Sequence, residues 1–159
     1  MLKKIRLIAL LSILVFSIFT RLFAQSPTKC LEIESILVDA CVPGTGCTSV
    51  ASPNCNCEGK NEMVRFKTGP DSISITDLSI TWPNNTFRGI SPRNNTTDSL
   101  IAILQATIQS PCGWLKQPIN GMIPPRTTVL LISSTDMCTS ANSFTNLSDT
   151  LCVIFQKSG

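Results

Sequence analysis

Eight cysteines, all beyond residue 29, constrain this chain more than any other feature. They are Cys30, Cys41, Cys47, Cys55, Cys57, Cys112, Cys138 and Cys152. An even number of thiols reads as a disulfide framework only in an oxidising compartment, so the amino terminus decides how they are read. Lys3, Lys4 and Arg6 make a positive start, residues 7–19 are almost wholly apolar, and Ala24 supplies a small residue at a cut point. That is the three-part pattern of a secretory signal, with cleavage expected between Ala24 and Gln25. Arg21 interrupts the apolar run before it reaches the ~20 residues that a spanning helix needs. The expectation is an exported chain, secreted, at the cell surface or in the periplasm, with no stable membrane span once residues 1–24 are removed. Residues 25–159 are then expected to form one domain.

In that compartment the cysteines read as staples, each bridge contributing about 2–4 kcal/mol by restricting the unfolded chain. The rival is a zinc site, since Cys41, Cys47, Cys55 and Cys57 fall in one short segment. Their spacing lacks the paired C-x₂₋₄-C of zinc ribbons, the chain has no histidine, and no C-x-x-C redox motif occurs. A local loop from Cys47 to Cys55 or Cys57, and a longer bridge from Cys41 to Cys112, are the pairings considered. Sequence alone does not choose among the alternatives.

Charge excludes one class of partner. The whole chain carries thirteen basic and ten acidic residues. Lys3, Lys4, Arg6 and Arg21 leave with the signal and no acidic residue does, so the mature chain is slightly acidic. Its apparent basicity is therefore no sign of nucleic-acid binding. Arg88, Arg93 and Arg126 are scattered among loops and form no stripe.

Reactive groups are few. Without histidine the commonest general base is missing, and tyrosine is absent as well. Glu32 and Glu34 read as solvated strand residues. Glu58 and Glu62 flank a Gly-Lys-Asn turn with too few oxygens nearby for a calcium shell of about six to eight. Glu62 and Asp39 would be the carboxylates to change if the chain were a hydrolase. No nucleophile elbow, phosphate loop or zinc-protease helix motif occurs. The chain is expected to have no catalytic residues, no metal and no cofactor. Trp82 and Trp114 could grip a sugar as exposed aromatics, but Trp82 is in phase with Leu78 and Ile80, and core packing is the expectation for both.

The pattern is mainly β. Residues 31–40 (LEIESILVDA) read as a strand entering a core, and residues 42–60 as a cross-linked loop and the natural contact surface. Residues 62–68 put Val64 and Phe66 on one face, with Met63, Arg65 and Lys67 on the other. Residues 72–82 (SISITDLSITW) alternate most clearly, with a phase slip at Thr76-Asp77. Residues 97–109 change period: Leu100, Ile101, Leu104 and Ile108 share a helical face, Thr97 or Asp98 is placed to cap it, and Pro111 stops it. Residues 127–133 and 150–156 are β-branched, apolar strands. About six strands and one short helix suggest a disulfide-stapled β-sandwich.

Several segments resemble a lamin-tail-type domain, an immunoglobulin-like β-sandwich. They are residues 36–41 (ILVDAC), 61–66 (NEMVRF) and 77–82 (DLSITW), with Ile123-Pro124-Pro125 ahead of 129–132 (VLLI). That family shows an opening strand, a Glu-x-Val strand, an Asp-Leu-Ser segment and an Ile-Pro-x-Gly turn before an apolar strand. Over most of residues 31–157 the chain is also similar to the amino-terminal modules of large exported proteins of gliding-type Gram-negative bacteria. EGKNEMVRF, SITWPNN and FTNLSDTLCVIFQ carry that likeness. Such proteins usually end in a type IX secretion sorting domain or a gliding-motility-associated domain, so this chain is expected to be the front of a longer product, truncated at its carboxyl end. Two departures stand out: Arg126 replaces the Gly of the family's turn, and Thr68-Gly69-Pro70 replaces an Asn-Pro turn. Asp71-Ser72-Ile73, Asp98-Ser99-Leu100 and Asp149-Thr150-Leu151 resemble O-glycosylation triplets of such bacteria. The resemblance implies a non-catalytic exported surface module with an adhesive or structural display role, its partner a cell-surface or extracellular-matrix component, glycan included. A carbohydrate-binding module is the alternative.

Overall fold

A computed structural model describes residues 31–38, 58–82 and 86–158. The expected signal peptide, Asp39, five of the cysteines and residues 42–57 of the cross-linked loop lie outside the described residues. Among those described are seven strands and one α-helix, so the chain is mostly β. The strands are β1 (Glu32–Leu37), β2 (Met63–Lys67), β3 (Ile73–Ser74), β4 (Trp114–Lys116), β5 (Met122–Ile123), β6 (Thr128–Ile132) and β7 (Thr150–Phe155). The helix, α1 (Asn95–Gln105), precedes β4.

Five strands form one sheet in the order β1-β2-β6-β7-β4. The pairs β1/β2 and β2/β6 are antiparallel, whereas β6/β7 and β7/β4 are parallel. Parallel neighbours need a crossover. The one from β6 to β7 carries a short 3₁₀ turn (Thr139–Ala141) and sets Phe144 and Leu147 against the sheet. Strands β3 and β5 pair separately as a small antiparallel ribbon.

The central strands are apolar without alternation because both their faces are covered. On one face Leu130, Ile132, Leu151, Val153 and Phe155 pack with Met63, Leu115 and Leu104 of α1. On the other, Val129, Leu131, Cys152 and Ile154 pack with Phe66, Ile75, Ile90 and Ile123. Residues 62–68 obey their alternation, and Met63 is buried as well as Phe66, while Arg65 and Lys67 on the Met63 face stay exposed. An immunoglobulin-like sandwich has two antiparallel sheets face to face. Here the larger sheet is mixed, with a helix and a crossover on one side and a two-stranded ribbon with irregular chain on the other.

Three local expectations need correction. Residues 72–82 form a strand only at β3. Asp77 N–H then donates to Ser74 O at 3.0 Å, and the Ser74 and Thr76 hydroxyls bond each other at 2.7 Å, which turns the chain. Leu78, Ile80 and Trp82 still point at the core, so alternation here marks one buried face without a ladder partner. The helix begins earlier than expected. Asn94 is its N-cap, accepting from Thr96 N–H at 2.9 Å and Thr97 N–H at 3.1 Å, while Thr97 Oγ1 accepts from Asn94 N–H. Thr97 thus closes the capping box from inside the helix. Finally, β1 does not enter a core. It is the sheet's edge strand and every one of its residues is exposed, Ile33 to 62%.

The eight-cysteine framework needs correction too. Cys138 is disulfide-bonded, but Cys112 and Cys152 are free thiols, so the considered Cys41–Cys112 bridge is not formed. The physical reason differs between them. Cys152 lies in the middle of β7 inside the second core cluster, where it serves as a small apolar side chain, while Cys112 sits in an exposed turn.

Candidate binding cleft at Trp114

Strand β4 is the far edge of the sheet, and its burial alternates. Leu115 points into the core beside α1, so Trp114 and Lys116 project from the opposite face. Gly113 admits the chain to this position, because any Cβ there would collide with the Leu147 carbonyl. The outer edge of β4 is closed by the end of α1. Gln105 Oε1 accepts from Leu115 N–H at 2.7 Å, and Gln105 Nε2 donates to Gly113 O at 3.3 Å.

Past β4 the chain reverses at Asn120-Gly121. Their φ values of 51° and 71° are the left-handed pair of a type I′ turn, and Met122 N–H donates to Ile119 O at 3.0 Å. The turn holds Ile119 75% exposed and Met122 43% exposed, near Trp114, which is 58% exposed. These three side chains share a cleft of about 380 Å³ with Arg93, Asp98, Lys116 and Gln117.

The polar side of the cleft is partly fixed. Asp98 Oδ1 accepts from Arg93 Nε and from Gln117 Nε2, both at 2.8 Å, so Asp98 offsets the Arg93 charge and aims Gln117. Lys116 is exposed and forms none of the ion pairs found among the described residues. Cys152 lies at the floor. Burial pushes its thiol up to about 11, with the nearby Lys116 ammonium pulling weakly the other way. It is protonated at neutral pH and therefore a poor nucleophile.

A broader groove of about 590 Å³ runs between β1–β2 and residues 143–147. Its one cation, Arg65, is bound to Glu34 at 2.7 Å, and its aromatic residue, Phe144, is half-buried against the core. It offers neither an open aromatic face nor an uncompensated charge.

The residues expected to matter fall in separate places. Trp82 packs against the second cluster, as its phase requires, and its Nε1 donates to buried Gln156 Oε1 at 2.7 Å. Trp114 departs from the core-packing expectation: β4 turns its ring out while Leu115 takes the core position. Glu32 and Glu34 are exposed, and Glu34 is paired with Arg65. Glu62 is half-buried and its carbonyl receives Ser133 N–H. Of the three scattered arginines only Arg93 reaches the cleft. No group of three or more Cys, Asp or Glu among the described residues is placed to hold a metal ion. No helix among them is long and apolar enough to cross a membrane.

Lys116, Gln117, Ile119 and Met122 carried no expectation in the sequence. The signal that could have found them is Asn120-Gly121, the strongest short-range indicator of a tight hairpin turn. No family model matches the chain, and no curated protein or solved structure is similar to it at a significant level.

Proposed function

We propose that this chain is a non-catalytic, exported binding module with an adhesive role, and that the cleft at Trp114 holds a carbohydrate. The observation that carries this reading is the exposed indole on a rigid strand. An open indole face matches the apolar C–H face of a sugar ring, and fixed polar groups beside it suit sugar hydroxyls. Gln117, positioned by Asp98, is such a group. Extended peptides commonly bind by adding a strand to a free sheet edge. That mode is blocked at β4, where Gln105 already occupies the outward Leu115 N–H.

Export rests on the secretory pattern of residues 1–24. The immunoglobulin-like, lamin-tail form of the fold, and membership in a larger secreted protein, belong to the same proposal. One observation supports them. Arg126, standing where the family's turn has Gly, has φ 53°, a backbone conformation that favours glycine. Its N–H donates to Gly69 O at 2.8 Å, and Thr68 Oγ1 donates to Pro124 O at 2.9 Å, so the two departures from the family pattern meet in one place. The parallel pairs of β7 weigh against the sandwich.

The test is glycan-array binding by the full secreted chain and its Trp114→Ala variant. Wild-type binding to at least one glycan, lost in the variant, is expected. Equal binding by both proteins, or binding to protein partners alone, would refute the carbohydrate reading.

A further inference from the structure

We infer that the Trp114 cleft selects acidic sugars, with Lys116 as the residue that reads the acid. This rests on the carbohydrate reading above and adds the class of sugar. Among the described residues the cleft contains three charged side chains, and two of them cancel: Arg93 and Asp98 are joined at 2.8 Å. Asp98 also receives Gln117, which leaves its carboxylate engaged on both counts. Lys116 alone remains uncompensated, so an occupied cleft has one positive charge to satisfy.

Geometry puts that charge where a sugar acid would need it. Trp114 and Lys116 are two residues apart on one strand and therefore project on the same side. A ring stacked on the indole would carry a carboxylate or sulfate along the strand toward the ammonium. Lys116 is aligned with Cys152 of β7, and that buried apolar floor lowers the local dielectric and strengthens the pair. Ile119 and Met122 close the remaining side and offer nothing to a charged group. A neutral sugar would stack equally well but leave the ammonium to water, so the acid group supplies the discrimination. Hydrogen bonds to a charged group commonly differ enough from neutral ones to change affinity about tenfold or more.

The experiment is calorimetric titration of the full secreted chain with uronic-acid and sulfated oligosaccharides, each beside its neutral counterpart, the methyl ester or the desulfated form. At least one acidic member is expected to bind about tenfold more tightly than its neutral counterpart. That preference should shrink in Lys116→Gln, persist in Lys116→Arg and weaken as salt is raised. Trp114→Ala should lose both members of the pair. Equal binding of acidic and neutral forms, or binding of neutral glycans only, would overturn the acid selectivity and leave the carbohydrate reading standing. Binding of an acidic peptide such as oligoglutamate with no sugar bound would overturn both, as would no binding by any glycan. All three substitutions are at two exposed positions of an edge strand, so retained thermal unfolding of the variants separates lost recognition from lost folding.

Discussion

Cys152 shows how little a residue's type says about its work. The even cysteine count reads it as one of eight staples, yet it fills a core position in β7, and no spacing rule separates it from a bridged neighbour such as Cys138. Its chemistry gives a test. The folded chain holds the thiol proton more tightly than the unfolded chain, with a pKa raised from an ordinary 9.0 to about 11. The resulting stability, about 2–3 kcal/mol, is complete below pH 9 and is lost as pH rises toward 11. Urea titrations across that window are expected to show falling stability for the wild type and a flatter profile for Cys152→Ala. A wild-type curve with no more slope than the variant's would contradict the buried, unpaired thiol. Native alkylation should label Cys112 and spare Cys152 until the chain unfolds. Trp114 shows the reverse: its type alone suggests a core position beside Leu115, and the pleat allows only one of two neighbours to go there.

At the scale of elements, legibility followed burial. The runs that form β6 and β7 are legible because strands covered on both faces leave continuous β-branched stretches. The helix is legible from the Leu100, Ile101, Leu104 and Ile108 face, although its cap lies at Asn94, three residues upstream of Thr97. The alternation of residues 72–82 promised a long strand, and it delivered a short one followed by irregular chain with the same side down. A pattern reports which side faces the core; a ladder requires a neighbour, and that neighbour is elsewhere in the chain. Arg126 holds a left-handed backbone that costs an L-residue about 1–2 kcal/mol, against about 0.5–1 kcal/mol of extra unfolded-state freedom for glycine. Arg126→Gly should therefore stabilise the protein by about 0.5–1 kcal/mol in chemical denaturation. A destabilised variant would mean that the Arg126 side chain does more than tolerate its conformation.

For the whole molecule, strand order was the least legible property. Composition, periodicity and turns announced a β-rich domain with one helix, but nothing local in β4, β6 or β7 says that they lie side by side and parallel. That arrangement fixes a gradient of protection. Strand β7 is flanked on both sides and buried, whereas β1 is an exposed edge carrying a register irregularity between Ile33 and Ser35. Amide exchange should accordingly be slowest in β6 and β7 and fastest among the strands in β1, by orders of magnitude. Comparable protection of β1 and β7 would contradict the described order.

The last described strand in sequence is next to last in space, wedged between β6 and β4. Any process that delivers the chain amino terminus first, whether a ribosome or an export channel, releases β4 and β6 before the strand that joins them. Until residues 150–155 emerge, those two strands have no common neighbour and the core clusters lack their largest shared contributor. Only then do β4 and the β1-β2-β6 part join into one sheet, as a zip closes when its slider arrives.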